Sequence, residues 1–195
     1  MSAQIRASYT KVGVKNFKRV HPERLDSLIE IAGPEALTDL RMASALEWLP
    51  AELHGAVADA MIEVVGRSDA RALWAGVLIE AFASPVLSAI VSGALRIYGK
   101  TPPSLMRMTP HAWPLFFRDC GRSWMEPAQD SRATMMFERL PHVLLASTGI
   151  LDSFQGNCDA ALRYTGFAGS VTANYEQLGE ARFSIDVQWQ AAEAS

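Results

Sequence analysis

The chain has 195 residues, 49% hydrophobic and 20% charged, with a formal net charge of −3. This length and balance fit one globular domain that buries roughly 70% of its unfolded surface without a disulfide or metal staple, and they exclude a disordered or fibrous chain. A net-negative chain of this size is disfavoured as a general nucleic-acid binder, whose surface is normally basic.

Residues 1–20 carry Arg6, Lys11, Lys15, Lys18 and Arg19 and no acid. They read either as a basic N-terminal arm for an acidic partner or lipid surface, or as a solvated first element. No apolar core of a secretory signal occurs there. Cys120 and Cys158 are the only cysteines, too few for a disulfide framework, so the expectation is a cytoplasmic protein with free thiols.

His21-Pro22-Glu23 opens a helix, with proline at its first position and an acid in its first turn. Leu25, Leu28, Ile29 and Ala32 share one face, and Gly33-Pro34 ends it. A second helix starts near Pro34, and Trp48-Leu49-Pro50 reads as a turn. A third covers residues 51–65, with Leu53, Val57, Ala60, Met61 and Val64 on one face and Gly66 as its stop. Residues 71–83 and 85–98 form the next two helices, separated at Pro85.

The stretch 72–95 holds a single charge, Glu80, and is long enough for a bilayer, which needs about 20 apolar residues. Glu80 costs roughly 2.5–3.5 kcal/mol at a membrane centre, so the reading is a buried helix pair and no membrane span.

Gly99-Lys100-Thr101-Pro102-Pro103 breaks the chain, and residues 104–125 read as largely helical, with Trp113, Phe116, Phe117 and Trp124. Residues 143–148 are a compact apolar run and read as a strand; residues 157–164 read as a short helix ended by Gly166. The tail is the clearest signal. Val171, Ala173 and Tyr175 alternate, a turn follows at residues 177–180, and Phe183, Ile185, Val187 and Trp189 alternate again. Period two on both sides of a turn is a β-hairpin with one buried face.

The fold class is therefore α+β: a helical layer of about five to seven helices on a small C-terminal antiparallel sheet ending in a hairpin. It reads as a single domain over residues 1–195, made of the first element (1–20), a helical part (21–140) and a strand–helix–hairpin part (141–190).

Chemistry-bearing motifs are sparse. The stretch from Gly93 to Thr101 has five residues between its glycines, where a phosphate loop needs four and must open a helix. His21, His54, His111 and His142 are isolated from one another, and no Cys-x-x-Cys pair occurs, so zinc is disfavoured. No Gly-x-Ser-x-Gly, Ser-x-x-Lys or His-Glu-x-x-His run is present, which points away from an enzyme. Asp59 and Glu63 share a helix face. Glu80 sits in the most apolar stretch, as a polar anchor for a ligand or as an acid paired with an arginine. Trp74, Phe82, Trp113, Phe116, Phe117, Trp124 and Phe137 would line an apolar pocket if they converge, or else form plain core or a dimer interface.

The tail also carries a resemblance. Asn157-Cys158-Asp159-Ala160-Ala161-Leu162, then Gly166 to Val171, Gly179, and Phe183 to Trp189 resemble the C-terminal section of 4-vinyl-reductase-type domains. Those are grouped with TRAPP-type trafficking subunits, haem-NO-binding domains and the effector domains of aromatic-responsive regulators. Trp48-Leu49-Pro50, Pro85-Val86-Leu87 and the segment before Gly121 are similar to uncharacterised myxobacterial-type members, and the likeness spans roughly residues 5–190. It implies helices on a small antiparallel sheet, often dimeric, often around an apolar ligand. The cysteine pair of sensor members is missing near the last hairpin, where Tyr175, Ala181 and Phe183 stand. The Tyr-x-Ser-x-Arg run of the haem branch is missing too, and none of the histidines matches its axial ligand, so haem is disfavoured. The expectation is a non-enzymatic sensing domain without cofactor, binding a small hydrophobic molecule between helices and sheet. Trp74, Phe82, Trp113 and Phe116 are its wall candidates and Glu80 its polar candidate. The alternative is a homodimeric TRAPP-like interaction module with no small ligand.

Overall fold

The computed structural model describes residues 2–83 and 85–190. The chain begins with strand β1 (Gln4–Arg6) and runs directly into α1 (Ala7–Val20). Tyr9, Gly13 and Phe17, spaced by four, form the buried face of α1. The basic residues of this first element are largely committed to the fold. Arg6 donates to the carbonyls of Leu115 and Leu46, and Lys11 donates to those of Arg41 and Ala43.

A 3-10 turn (Pro22–Arg24), α2 (Leu25–Ala32) and α3 (Pro34–Met42) follow. Trp48–Pro50, expected as a turn, is strand β2: it pairs antiparallel with β1, Ile5 opposite Leu49. Three residues are too few to show period two, so only the partner strand reveals it. Next come α4 (Ala51–Val65), α5 (Arg67–Phe82) and α6 (Pro85–Tyr98).

The stretch expected as largely helical divides. It holds α7 (Pro102–Met106) and α8 (Thr109–Phe116), then β3 (Phe117–Arg118) and β4 (Arg122–Met125). The break falls where Asp119 and Gly121 take positive φ, 54° and 73°. At Gly121 a side chain would also run into the carbonyls of Glu138 and Arg139. Strand β5 (Arg132–Glu138) was not anticipated, although Ala133, Met135 and Phe137 alternate into the core. Residues 143–148, expected as a strand, hold none: α9 (His142–Ala146) ends there, and α10 (Thr148–Thr165) begins after Ser147. A short apolar run does not distinguish strand from buried helix, and Pro141 before it with Ser147 after it favours helix starts.

α10 is longer than its expected eight residues and forms the spine. Ser147 caps it by accepting the Ile150 N–H at 3.1 Å, and Asp59 of α4 accepts the Gly149 N–H at 2.6 Å. Gly149 lies against the backbone of Ala58, and Gly156 lies against Arg71 and Trp74. Missing side chains thus let α10 seat closely on both α4 and α5. Gly166, left-handed at φ 82°, ends it. The tail forms the expected hairpin, β6 (Ala168–Asn174) and β7 (Arg182–Gln190), with Val171 opposite Val187.

Two antiparallel sheets result, ordered β2-β1-β3 and β4-β5-β7-β6. Among the described residues there are ten α-helices, so the α+β reading stands with more helices than expected. Most of the buried apolar side chains form one continuous cluster, from Ala3 to Trp189. No helix among the described residues is long and apolar enough to cross a membrane.

Candidate functional site

A cavity of about 110 Å³ lies between the helices and the larger sheet. α5 contributes Leu78 and Phe82, α7 contributes Leu105 and Met106, and α8 contributes His111, Trp113 and Phe116. Met135 and Phe137 of β5, Phe154, Asn157 and Cys158 of α10, and Tyr9 of α1 also line it. Alternation along β5 and a four-residue step on α10 turn these side chains the same way.

The aromatic groups interlock. Trp113 stacks on Phe117 with centroids 4.2 Å apart and meets Phe154 at 5.1 Å. Phe137 stacks between Phe154 and Phe183 at 5.4 and 4.5 Å. Offset stacks of this kind fix the wall's shape beyond simple burial.

Polar groups are few. The Tyr9 hydroxyl donates to Asn157 Oδ1 at 3.1 Å. Burial pushes the Tyr9 hydroxyl up to about 12, so it stays protonated. Burial, helped by the charge of Asp159, likewise raises the Cys158 thiol, which remains an uncharged, unreactive wall group. His111 lines the cavity, and its ring makes no hydrogen bond or ion pair within the described residues.

Of the sequence candidates, Phe82, Trp113 and Phe116 come together on this wall. Trp74 does not join them. It is fully buried beside the cavity, stacked on Tyr9 at 5.5 Å and edge-on to His54 at 4.8 Å. Glu80 lies elsewhere: it pairs with Lys15 at 3.0 Å and Arg19 at 3.6 Å on the outer face of α1 and α5. The arginine-paired alternative describes its placement, and the reading of Glu80 as the cavity's polar group is corrected. Phe117 and Phe137 line the cavity, whereas Trp124 lies on a separate surface cleft. Tyr9, Asn157 and Phe154 were missed, because three distant segments must fold together before they share a wall. Among the described residues no three His, Cys, Asp or Glu side chains gather in a metal-binding group.

The donor set decides whether a metalloporphyrin suits this cavity. Haem iron is held by one or two axial side chains, His most often among them, inside an apolar pocket. His111 is exposed yet among the residues lining the apolar, aromatic cavity, and its ring supplies that donor type. The open space, about 110 Å³, is smaller than the roughly 150 Å³ apolar cavity that takes benzene. A porphyrin is larger than this space and enters only if lining side chains move, among which the Met106, Met108 and Met135 thioethers are the adaptable ones.

No family model and no curated protein matches the chain. Solved structures do. An Fe(II) unliganded H-NOX protein from K. algicida is 9% identical with a TM-score of 0.62, covering 98% of this chain and 100% of its own. A structure titled for heme distortion in the H-NOX family is 12% identical with a TM-score of 0.61, covering 98% of each chain. An oxygen-binding H-NOX domain related to soluble guanylate cyclases, as its oxygen complex, is 12% identical with a TM-score of 0.58, covering 98% of each. The 4-vinyl-reductase, TRAPP and myxobacterial parts of the resemblance find no support in these structures. The expectation of no cofactor, with haem disfavoured, is overturned: the matching folds include proteins titled for heme and for an Fe(II) state, and a missing signature does not outweigh them. Over 98% of its length the chain shares the fold of these H-NOX structures.

Proposed function

We propose that this chain is a non-enzymatic sensing domain whose cavity between α8 and α10 holds a flat, largely apolar ligand, with an iron porphyrin as the candidate occupant. The observation that carries this is an apolar, aromatic-lined cavity with one histidine, the exposed His111, among its lining residues. His111 would hold the iron, and Phe82, Trp113, Phe116 and Phe137 would pack on the group's apolar body. When bound, the group supplies a metal centre for small diatomic ligands. The chain's own residues exclude water through the aromatic wall and offer one polar pair, Tyr9 with Asn157. The fold likeness to H-NOX proteins supports the sensing role. Homodimer formation belongs to the same proposal, as does a signalling partner.

Native mass spectrometry and absorbance spectra of the protein from its own source test it. A non-covalent mass lost on denaturation, with a Soret band that His111→Ala shifts or abolishes, is the expected result. If there is no bound mass and no saturable uptake of added hemin, the porphyrin reading fails. A clean dimer with no bound mass would favour the interaction module.

A further inference from the structure

The junction between α6 and α7 presents apolar side chains to solvent beside cations. Residues 96–100, Arg-Ile-Tyr-Gly-Lys, run off the end of α6 and are all exposed, Ile97 at 73% and Tyr98 at 56%. Arg107 follows α7, and its guanidinium lies over the Tyr98 ring at 5.9 Å. The junction is held in shape. The buried Ser104 hydroxyl donates to the Tyr98 carbonyl at 3.0 Å and hydrogen-bonds with Thr101 Oγ1 at 2.8 Å. Among the described residues, Ile97 and Tyr98 are the one pair of large exposed apolar side chains adjacent in sequence. Apolar groups held together in water on an ordered element mark a contact site.

The charge identifies the partner. Between Glu80 and Asp119 the sequence has Arg96, Lys100, Arg107 and Arg118 and no acid, in a chain of formal net charge −3. Elsewhere arginines meet carboxylates: Arg67 and Arg71 pair with Asp152, Arg122 and Arg182 with Glu138, and Arg132 with Asp186. Among the described residues Arg96, Lys100 and Arg107 form no ion pair. Residues 96–100 with Arg107 are far fewer than the roughly 20–30 per side of a stable protein interface. They suit an anionic bilayer surface instead. There an aliphatic tip enters the headgroup boundary, tyrosine rings settle at headgroup level, and cations meet lipid phosphates.

We propose that the α6–α7 junction docks reversibly on an anionic lipid surface. Ile97 and Tyr98 enter the headgroup layer, and Arg96, Lys100 and Arg107 meet the lipid phosphates. This is contact with the surface and no span. Leu105, Met106 and Met108, on either side of Arg107, line the cavity, so docking sets one wall of that cavity next to the bilayer. The proposal does not rest on the porphyrin reading.

The full chain with Ile97→Cys, labelled with an environment-sensitive fluorophore, reads the contact, because Cys120 and Cys158 are buried. Met42→Cys is the control, at a residue 76% exposed at the end of α3. Vesicles of phosphatidylcholine mixed with phosphatidylglycerol are expected to blue-shift the label at position 97 saturably, and phosphatidylcholine alone to leave it in place. Raising the salt is expected to weaken the binding. Lys100→Gln and Arg107→Gln are each expected to weaken it about fivefold, the effect of removing one cation at a lipid surface. The proposal is overturned if the label at position 97 does not respond to the anionic vesicles in excess. Equal binding to phosphatidylcholine alone, an equal shift at position 42, or unchanged affinity in both charge variants would also overturn it. A response to polyglutamate with none to vesicles would overturn it in favour of an acidic protein partner. Should the labelled Ile97→Cys chain fail to fold, co-sedimentation of the native chain and the two charge variants with the same vesicles decides.

Discussion

The six-membered ring of Trp74 occupies the space where Gly13 lacks a side chain, so a Cβ at position 13 would overlap the indole. This pairing lets α1 and α5 approach each other. It also holds Trp74 against Tyr9 and His54. Gly13→Ala is expected to destabilise the fold by about 1–3 kcal/mol, the usual effect of overpacking a tight core. Urea denaturation checks it; an unchanged midpoint would show that the indole moves aside freely.

His54 gives the fold a pH dependence. It is fully buried, accepts or donates one hydrogen bond with Thr10 at 3.0 Å, and leaves Nε2 unpaired. Burial lowers its pKa to about 3, against about 6.5 in the unfolded chain. The folded state therefore disfavours the charged ring. The stability this confers is complete above pH 6.5 and falls as the pH drops toward 3, by up to about 1.36 kcal/mol per unit. Between pH 7 and 4.5 the native chain should lose roughly 2–3 kcal/mol more than His54→Asn. Equal losses would mean the imidazole is charged within the fold.

Asp152 is wholly buried and accepts two hydrogen bonds from Arg67, both at 2.8 Å, with Arg71 at 3.3 Å. Its hydrogen bonds raise the Arg67 pKa above its ordinary value. Arg67→Met leaves that carboxylate with one guanidinium and should cost about 2–4 kcal/mol, near the lower range for breaking a buried pair. Thermal unfolding of the single and double Arg67 and Arg71 variants checks this. The double loss should differ from the sum of the single losses, because both share one acceptor.

Glu80→Gln should behave differently. The acid is partly exposed and its partners Lys15 and Arg19 are mostly in solvent. A change of at most about 1 kcal/mol is expected, with no effect on hemin uptake. Altered uptake would return Glu80 to the ligand site.

Much of the architecture is written locally. The helical face of Leu25, Leu28, Ile29 and Ala32, of which Leu28 and Ala32 are buried, and the alternation from Phe183 to Trp189 each lie within one element. Periodicity therefore reveals them without knowledge of the neighbours. Residues 143–148 were misread because a short apolar run has no period to measure, and β2 was missed because a three-residue strand exists only through its pairing with β1.

The sequence by itself determined the α+β class, the terminal hairpin and the supply of aromatic residues. Tertiary structure decided where those residues went: Trp74 into the core, Phe82 and Phe116 onto the cavity wall, Trp113 between cavity and cleft, and Glu80 onto Lys15 and Arg19. The physical reason is that an element's period fixes which face is buried, whereas a cavity is the space left when several such faces meet. Tyr9 and Asn157 lie 148 positions apart and share a hydrogen bond, a relationship set by how α1 and α10 pack and by nothing in either segment alone.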